Sequence, residues 1–220
     1  MKLVLASGSQ RRRELLTMCG YDYEIIVSNA DETIDENDPE SFVRALSFRK
    51  AKDVFDRLFA AGRRDFAVIG SDTVVAFQKE GGTKPVIIGK PKDAKDAVRI
   101  LSMLSGKTHR VFTGVSVIAD IPDENATAQC SIRKKEEIQT ECSITEVTFE
   151  TLSPDEIADY VNSGDPLDKA GSYGIQGPFG MFVREIRGNY FTVIGMPIPV
   201  LYKMLKKIGI LPHGFYERIE

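Results

Sequence analysis

The sequence predicts an α/β protein with a mixed, twisted sheet and flanking helices, arranged as two lobes around a central cleft. Three observations predict the mixed α/β class, and two lobes around a cleft would bring its polar turns together. Apolar runs of strand length alternate with helix-period segments through the first half of the chain. Helix starts are marked by Asp38-Pro39, by Asp93 and by Ser153-Pro154-Asp155-Glu156. Later strands follow one another, which a purely parallel, doubly wound sheet does not allow.

At 220 residues, 42% hydrophobic and 28% charged, the chain suits one soluble domain spanning 1–220. No apolar run approaches a bilayer span and no signal-peptide pattern opens the chain, so a cytoplasmic protein is expected. Cys19, Cys130 and Cys142 show no paired metal-ligand spacing and are assigned no chemistry. With 29 Lys+Arg against 32 Asp+Glu, the net charge of −3 gives no global footprint for nucleic acid. Phosphate recognition must therefore be local.

Leu3 to Ala6 reads as a strand, Ser7-Gly8-Ser9 as a turn with Ser9 at the N-cap, and Leu15, Leu16 and Met18 as the apolar side of a first helix. Arg11, Arg12 and Arg13 oppose the dipole of that helix start by about 0.3–1 kcal/mol each. Either a phosphate group offsets them or the helix end is solvated, with Glu14 partly neutralising it. Tyr23 to Val27 is a second strand. Ser28 to Thr33 is a polar loop whose two carboxylates, Asp31 and Glu32, read on their own as a solvated acidic turn. Asp38-Pro39 opens a long amphipathic helix through Phe42, Leu46, Val54, Leu58 and Phe59, with Lys50 and Lys52 inside it as ordinary solvated lysines.

From Phe66 to Phe77, apolar runs flank Gly70-Ser71-Asp72-Thr73, placing Asp72 near the core. A buried carboxyl must be protonated, hydrogen-bonded, paired with a cation or bound to a metal. A divalent ion held by Asp72 with Glu32 meets that need, because hard oxygen ligands suit magnesium or manganese. The structural alternative is a hairpin turn capped by Asp72. Gln78 to Pro85 reads as a hairpin tip, and Lys90 before Pro91 projects from extended chain. Asp93 caps a helix carrying Ala97, Ile100, Leu101 and Leu104 and ending at Ser105-Gly106. Thr108 to Ala119 is a strand in which His109 is structural. Residues 121–141 form a polar hairpin insertion, and Ser143 to Phe149 returns as a strand. A helix follows Ser153, and the glycine-rich stretch 164–180 carries Asp165, Asp168, Lys169, Tyr173 and Gln176 as a ligand-contacting loop. Met181 to Ile186 and Tyr190 to Ile194 are expected as strands, and Pro197 to Ile208 as a last helix stopped by Gly209.

Five motifs occur together and in order: Ser7-Gly-Ser9-Gln-Arg11-Arg12, Gly70-Ser-Asp72-Thr73-Val-Val75, Gly89-Lys90-Pro91, Leu104-Ser-Gly-Lys-Thr108 and Asp168-Lys-Ala-Gly-Ser-Tyr-Gly-Ile-Gln176-Gly177. In this combination the sequence resembles the Maf family of nucleoside triphosphate pyrophosphatases. The resemblance implies the two-lobed Maf/ITPase-like fold, a homodimer, and hydrolysis of a nucleoside triphosphate to the monophosphate and pyrophosphate with Mg or Mn as cofactor. It carries Asp72 over as the general base and Glu32, with Asp72, as metal-holding. Ser7, Arg12, Lys50 and Lys90 match the positions around the triphosphate. Arg11, Thr73 and Gln176 match the three specificity positions of members acting on dTTP and UTP. A relative preferring methylated guanine nucleotides is expected to carry tryptophan where Arg11 stands. A second class of reading is a nucleotide- or nucleic-acid-binding regulator of cell division, which the acidic balance counts against. Gln10 replaces the family's usual proline, and the stretches near Gln78 and over 121–141 exceed its compact members.

Overall fold

A computed structural model of the chain describes residues 1–78, 81–82, 84–121 and 135–214. In chain order these form β1 (Lys2–Leu5), α1 (Gln10–Met18), β2 (Tyr23–Ile25), α2 (Pro39–Ala60), β3 (Phe66–Phe77), β4 (Val86–Ile88), α3 (Ala94–Leu104), β5 (Thr108–Ile121), β6 (Lys135–Phe149), α4 (Pro154–Asn162), β7 (Val183–Arg187), α5 (Tyr190–Ile194) and α6 (Ile198–Lys207). Seven strands make one sheet in the order β2-β1-β3-β5-β6-β7, with β4 added on β3. β1 runs parallel to β2 and β3, and every other pairing is antiparallel, giving the mixed sheet the sequence predicts. No helix among the described residues is long and apolar enough to cross a membrane.

Helix starts follow the capping chemistry. Asp38 accepts from Ser41 N at 2.9 Å ahead of Pro39, Asp93 accepts from Asp96 N at 2.8 Å, and Ser153 and Glu156 form a reciprocal capping box. Strand alternation then sorts the core. Val4, Phe66, Val68 and Ile118 pack under Ala51, Val54 and Phe55 of α2. Leu3, Leu5, Ala67, Ile69, Val115 and Val117 face Leu15 and Leu16 of α1 and Leu201, Met204 and Leu205 of α6 on the other side. Further along the long strands, Val75, Phe77, Val111, Val147 and Phe149 collect α3, α4 and Phe179 into a third cluster. Each buried Leu, Ile or Phe contributes about 1.5–3 kcal/mol. The first two clusters lie on opposite faces of β1 and β3, and the third lies towards the other end of the long strands.

One edge of β3 is left open by the strand register. β1 pairs with β3 only through Ile69, and β4 only from Val75, so residues 70–74 have no strand partner on that edge among the described residues. Asp72 and Thr73 lie in this notch.

The structure corrects several expectations. Phe66 to Phe77 is one continuous strand paired with β5 across Gly70 to Thr73, so no hairpin turn exists there for Asp72 to cap. Tyr190 to Ile194 is a helix, not a strand. Asn189 Oδ1 accepts from Phe191 N at 2.8 Å, and Gly195 closes the turn at φ 107°, so the two ends override the strand propensity between them. Ser9 occupies the N-cap of α1, but its side chain makes no capping bond; its N–H instead donates to Ser7 Oγ at 3.2 Å. β6 begins at Lys135, eight residues before the expected Ser143, and Ile121 pairs with Lys135. The rest of the expected insertion, with Cys130, lies outside the described residues, as do Lys79, Glu80 and Thr83 of the expected hairpin tip.

Candidate active site

The turn after β1, the notch in β3 and the glycine-rich segment 164–177 enclose a cleft of about 1320 Å³. Ser7, Arg11, Arg12, Glu32, Lys50, Asp72, Thr73, Lys90 and Gln176 all line it, so every residue singled out from the sequence reaches the same space.

Successive strand side chains face opposite sides, so Asp72 and Thr73 address different helices. Asp72 turns to α2, where Lys50 Nζ stands 2.7 Å from its Oδ1. The same ammonium lies 2.9 Å from Glu32 Oε1. One lysine thus bridges two carboxylates contributed by a strand and a loop. Asp72 and Lys50 are mostly buried, with side chains 13% and 12% exposed, whereas Glu32 is open to solvent. Lys50 is accordingly not the ordinary solvated lysine its position in an amphipathic helix suggests. Lys52, two residues on, pairs with Asp56 and Glu136 outside the cleft.

The loop bearing Glu32 is strapped to α2 on both sides of Lys50. Asp53 accepts from Ser28 Oγ and Asn29 N, each at 2.9 Å, and Arg49 donates to the carbonyls of Asp31 and Thr33 at 3.0 and 2.9 Å. Sequence reading missed both residues, because an Asp and an Arg on a helix surface look like solvated charge. Asp53 stands four residues after Arg49 and three after Lys50, and that spacing is the signal that it neighbours both on the helix surface.

Thr73 turns to α1. Arg12 donates from Nε to Gly195 O at 2.9 Å, from Nη1 to Ser7 Oγ at 3.1 Å and from Nη2 to Thr73 Oγ1 at 3.4 Å. A guanidinium has five N–H donors, so one on each terminal nitrogen is left, a pair suited to the oxygens of a phosphate. Burial lowers the Arg12 pKa from its ordinary value, with Asp72 and Glu32 opposing that shift and Arg11 adding to it. Arginine stays charged through such a shift.

Across the cleft, Lys169 donates to Asp165 Oδ1 at 3.0 Å and to Asp168 Oδ1 at 2.7 Å, and Arg11 Nη1 lies 4.0 Å from Asp168 Oδ2. Burial alone would raise the Asp168 pKa, but the hydrogen bond and charge of Lys169, with Arg11 behind them, hold it below the ordinary value. Tyr160 on α4 donates to Asp165 Oδ2 at 2.5 Å and accepts from Gly174 N at 3.0 Å, which ties the loop to α4. Lys90 and Gln176 are exposed on the cleft wall. Phe42, Leu46, Val75, Val111 and Val193 give that cleft an apolar side. Basic groups, the Asp72 and Glu32 carboxylates and an apolar side together suit a polyphosphate carrying a ring.

The model of the family described as "Maf-like protein" matches residues 2–208. This chain belongs to the Maf family. It is 39% identical over 217 residues to a protein of Agathobacter rectalis named dTTP/UTP pyrophosphatase, covering 95% of this chain and 98% of that protein. A protein of Bacillus thuringiensis subsp. konkukian with the same name is 42% identical over 210 residues, covering 95% and 96%. Among solved structures, the Staphylococcus aureus Ham1 protein superposes with a TM-score of 0.49 at 13% identity, covering 94% of this chain and 99% of that one.

Within this Maf chain the donor set bears on a cation. No group of three or more His, Cys, Asp or Glu side chains converges among the described residues. Two carboxylates do converge, on Lys50, and magnesium is commonly held by one or two carboxylates with the remaining positions filled by water and substrate phosphate. Asp72 and Glu32 therefore have the chemistry to hold a hard divalent ion.

Proposed function

We propose that this Maf protein hydrolyses dTTP and UTP, and related modified pyrimidine nucleotides, to the nucleoside monophosphate and pyrophosphate. The observation that carries the reading is the convergence of Asp72, bridged through Lys50 to Glu32, and the half-used guanidinium of Arg12 in one cleft. The names of its relatives, dTTP/UTP pyrophosphatase, support the substrate class.

Each residue has work to do in that reaction. Asp72 accepts the proton of the water that opens the α–β anhydride. Arg12, Lys50 and Lys90, with the Ser7 hydroxyl, bind the phosphate chain and stabilise the charge gathering on departing pyrophosphate. Arg11, Thr73 and Gln176 set base preference, and Gln176 offers both a donor and an acceptor to the amide-like edge of a pyrimidine. Magnesium or manganese held by Asp72 and Glu32 would neutralise phosphate oxygens and acidify bound water. A homodimer and a cytoplasmic setting belong to the same reading, and light scattering on the purified protein tests the first.

The reading is tested by incubating the protein with dTTP, UTP, dCTP and a methylated guanosine triphosphate, with magnesium, with manganese and with EDTA, and resolving products by 31P NMR. Metal-dependent release of pyrophosphate from dTTP and UTP ahead of the others is expected. Orthophosphate with a diphosphate product, or tight binding without turnover, would contradict it.

A further inference from the structure

We infer that Thr113 on β5 is a positioning residue for Arg12, acting through Thr73; its importance for catalysis rests on the pyrophosphatase reading above. Thr113 is fully buried and is not among the residues lining the cleft, so it has no route to a ligand of its own. Its hydroxyl is nevertheless the second link in a chain of hydrogen bonds that ends on the guanidinium.

The direction of that chain follows from proton counting. Thr113 Oγ1 lies 2.7 Å from the carbonyl oxygen of Thr192, which can only accept, so the single proton of Thr113 goes there. Thr73 sits directly opposite Thr113 in the β3–β5 register, with its Oγ1 at 3.0 Å. Thr113 has no proton left to give, so Thr73 donates to Thr113. The Thr73 oxygen then has lone pairs alone to present, and Arg12 Nη2 donates to it from 3.4 Å. Every link points the same way: Arg12 to Thr73 to Thr113 to the Thr192 carbonyl.

The far end is anchored. Thr192 is fully buried on α5, its hydroxyl meets Ser143 Oγ at 2.7 Å, and Thr145 Oγ1 donates to Asn189 O at 2.9 Å at the start of that helix. Gly195 O, at the other end of α5, accepts from Arg12 Nε at 2.9 Å, while the single proton of Ser71 Oγ is placed between Gly195 O and Gly114 O, each at 2.9 Å. One short helix thereby fixes the guanidinium at two points, directly through Gly195 and by relay through Thr113. Without the Thr113 hydroxyl, the Thr73 proton loses its acceptor and is free to turn towards Arg12, where it opposes the N–H it should receive. The two remaining N–H groups of Arg12 then meet phosphate with an orientation that the ligand itself must impose.

The experiment is calorimetric titration of inorganic pyrophosphate, with magnesium present, into the intact protein and its Thr113→Val, Thr113→Ser, Thr73→Val and Thr73→Val/Thr113→Val variants. Thr113→Val is expected to weaken pyrophosphate binding about tenfold. Thr113→Ser, which keeps the hydroxyl, should stay within about twofold of the unchanged protein, and the double variant should bind about as well as Thr73→Val alone. Should the valine protein not fold, Thr113→Ala takes its place. A Kd unmoved by loss of the hydroxyl, a serine variant as weak as the valine one, or losses that multiply in the double variant would each overturn the assignment. Pyrophosphate binding needs no turnover, and dTTP turnover is followed in parallel. An unchanged protein that binds pyrophosphate but leaves dTTP intact would remove the enzymatic reading, while the affinity series still decides the role of Thr113. Turnover without measurable pyrophosphate affinity would remove the Thr113 assignment alone.

Discussion

Gly70 on β3 lies so close beneath Ser47 on α2 that a Cβ at residue 70 would fall 2.1 Å from the Ser47 carbonyl oxygen. Gly114 on β5 does the same under Val43, also at 2.1 Å. These two bare positions let the helix settle directly on the sheet. Ser47 is one turn from Lys50, and Gly70 two residues from Asp72, so the contact also sets the reach of the 2.7 Å ion pair.

Gly70→Ala should therefore destabilise the protein by about 3 kcal/mol, at the upper end for overpacking, because the obstacle is backbone rather than the tip of a flexible side chain. Urea unfolding measures it. A variant as stable as the parent would mean that α2 can lift off the sheet without penalty.

Lys50 and Asp72 are each other's charge partner in a mostly dry site. Lys50→Met alone leaves Asp72 without that partner and should cost about 3 kcal/mol at neutral pH. Adding Asp72→Asn removes the stranded charge, so the double variant should be clearly more stable than the sum of the single losses. A double-mutant cycle in urea reads the coupling, and simple additivity would show that the pair contributes nothing.

His109 is buried at 2% exposure, with its ring edge-on to Phe149 and Tyr173 and Nε2 3.0 Å from the Tyr173 hydroxyl. Burial pushes its pKa down to about 3. An unfolded chain takes up this proton below about pH 6.5, while the folded one refuses it until near pH 3. The stabilisation from neutral His109 is thus complete above pH 6.5 and is lost as pH falls towards 3, by about 2 kcal/mol at pH 5. His109→Gln should flatten that slope in unfolding curves recorded from pH 7 to 4.5. Parallel slopes for the two proteins would exclude His109 as their origin.

Part of the candidate site was legible because burying charge is costly and therefore informative, while Lys50 entered it only through the family resemblance. Asp72 stood between apolar runs, and three arginines stood at a helix start, before any geometry was known. The helices and most strands followed from capping residues and apolar spacing, which are local. Long-range partners were not legible: Arg12 reaches Gly195 across 183 positions, and no local pattern encodes that pairing. Tyr190 to Ile194 misled for a different reason. Its aromatic and β-branched residues favour a strand, and the decision for helix lay in the flanking Asn189 and Gly195. Asp53 and Arg49 were hidden by resembling surface charge.

In the proposed reaction the carboxylate of Asp72 takes a proton as the anhydride opens. The deciding measurement is the rate of pyrophosphate release from dTTP, with magnesium, by the unchanged protein and by Asp72→Asn, both first shown to be folded by their unfolding transitions. A fall of at least about 100-fold in kcat is expected, the usual contribution of a positioned general base. An asparagine variant that releases pyrophosphate within about twofold of the parent rate would contradict the account, since an amide cannot serve as that base.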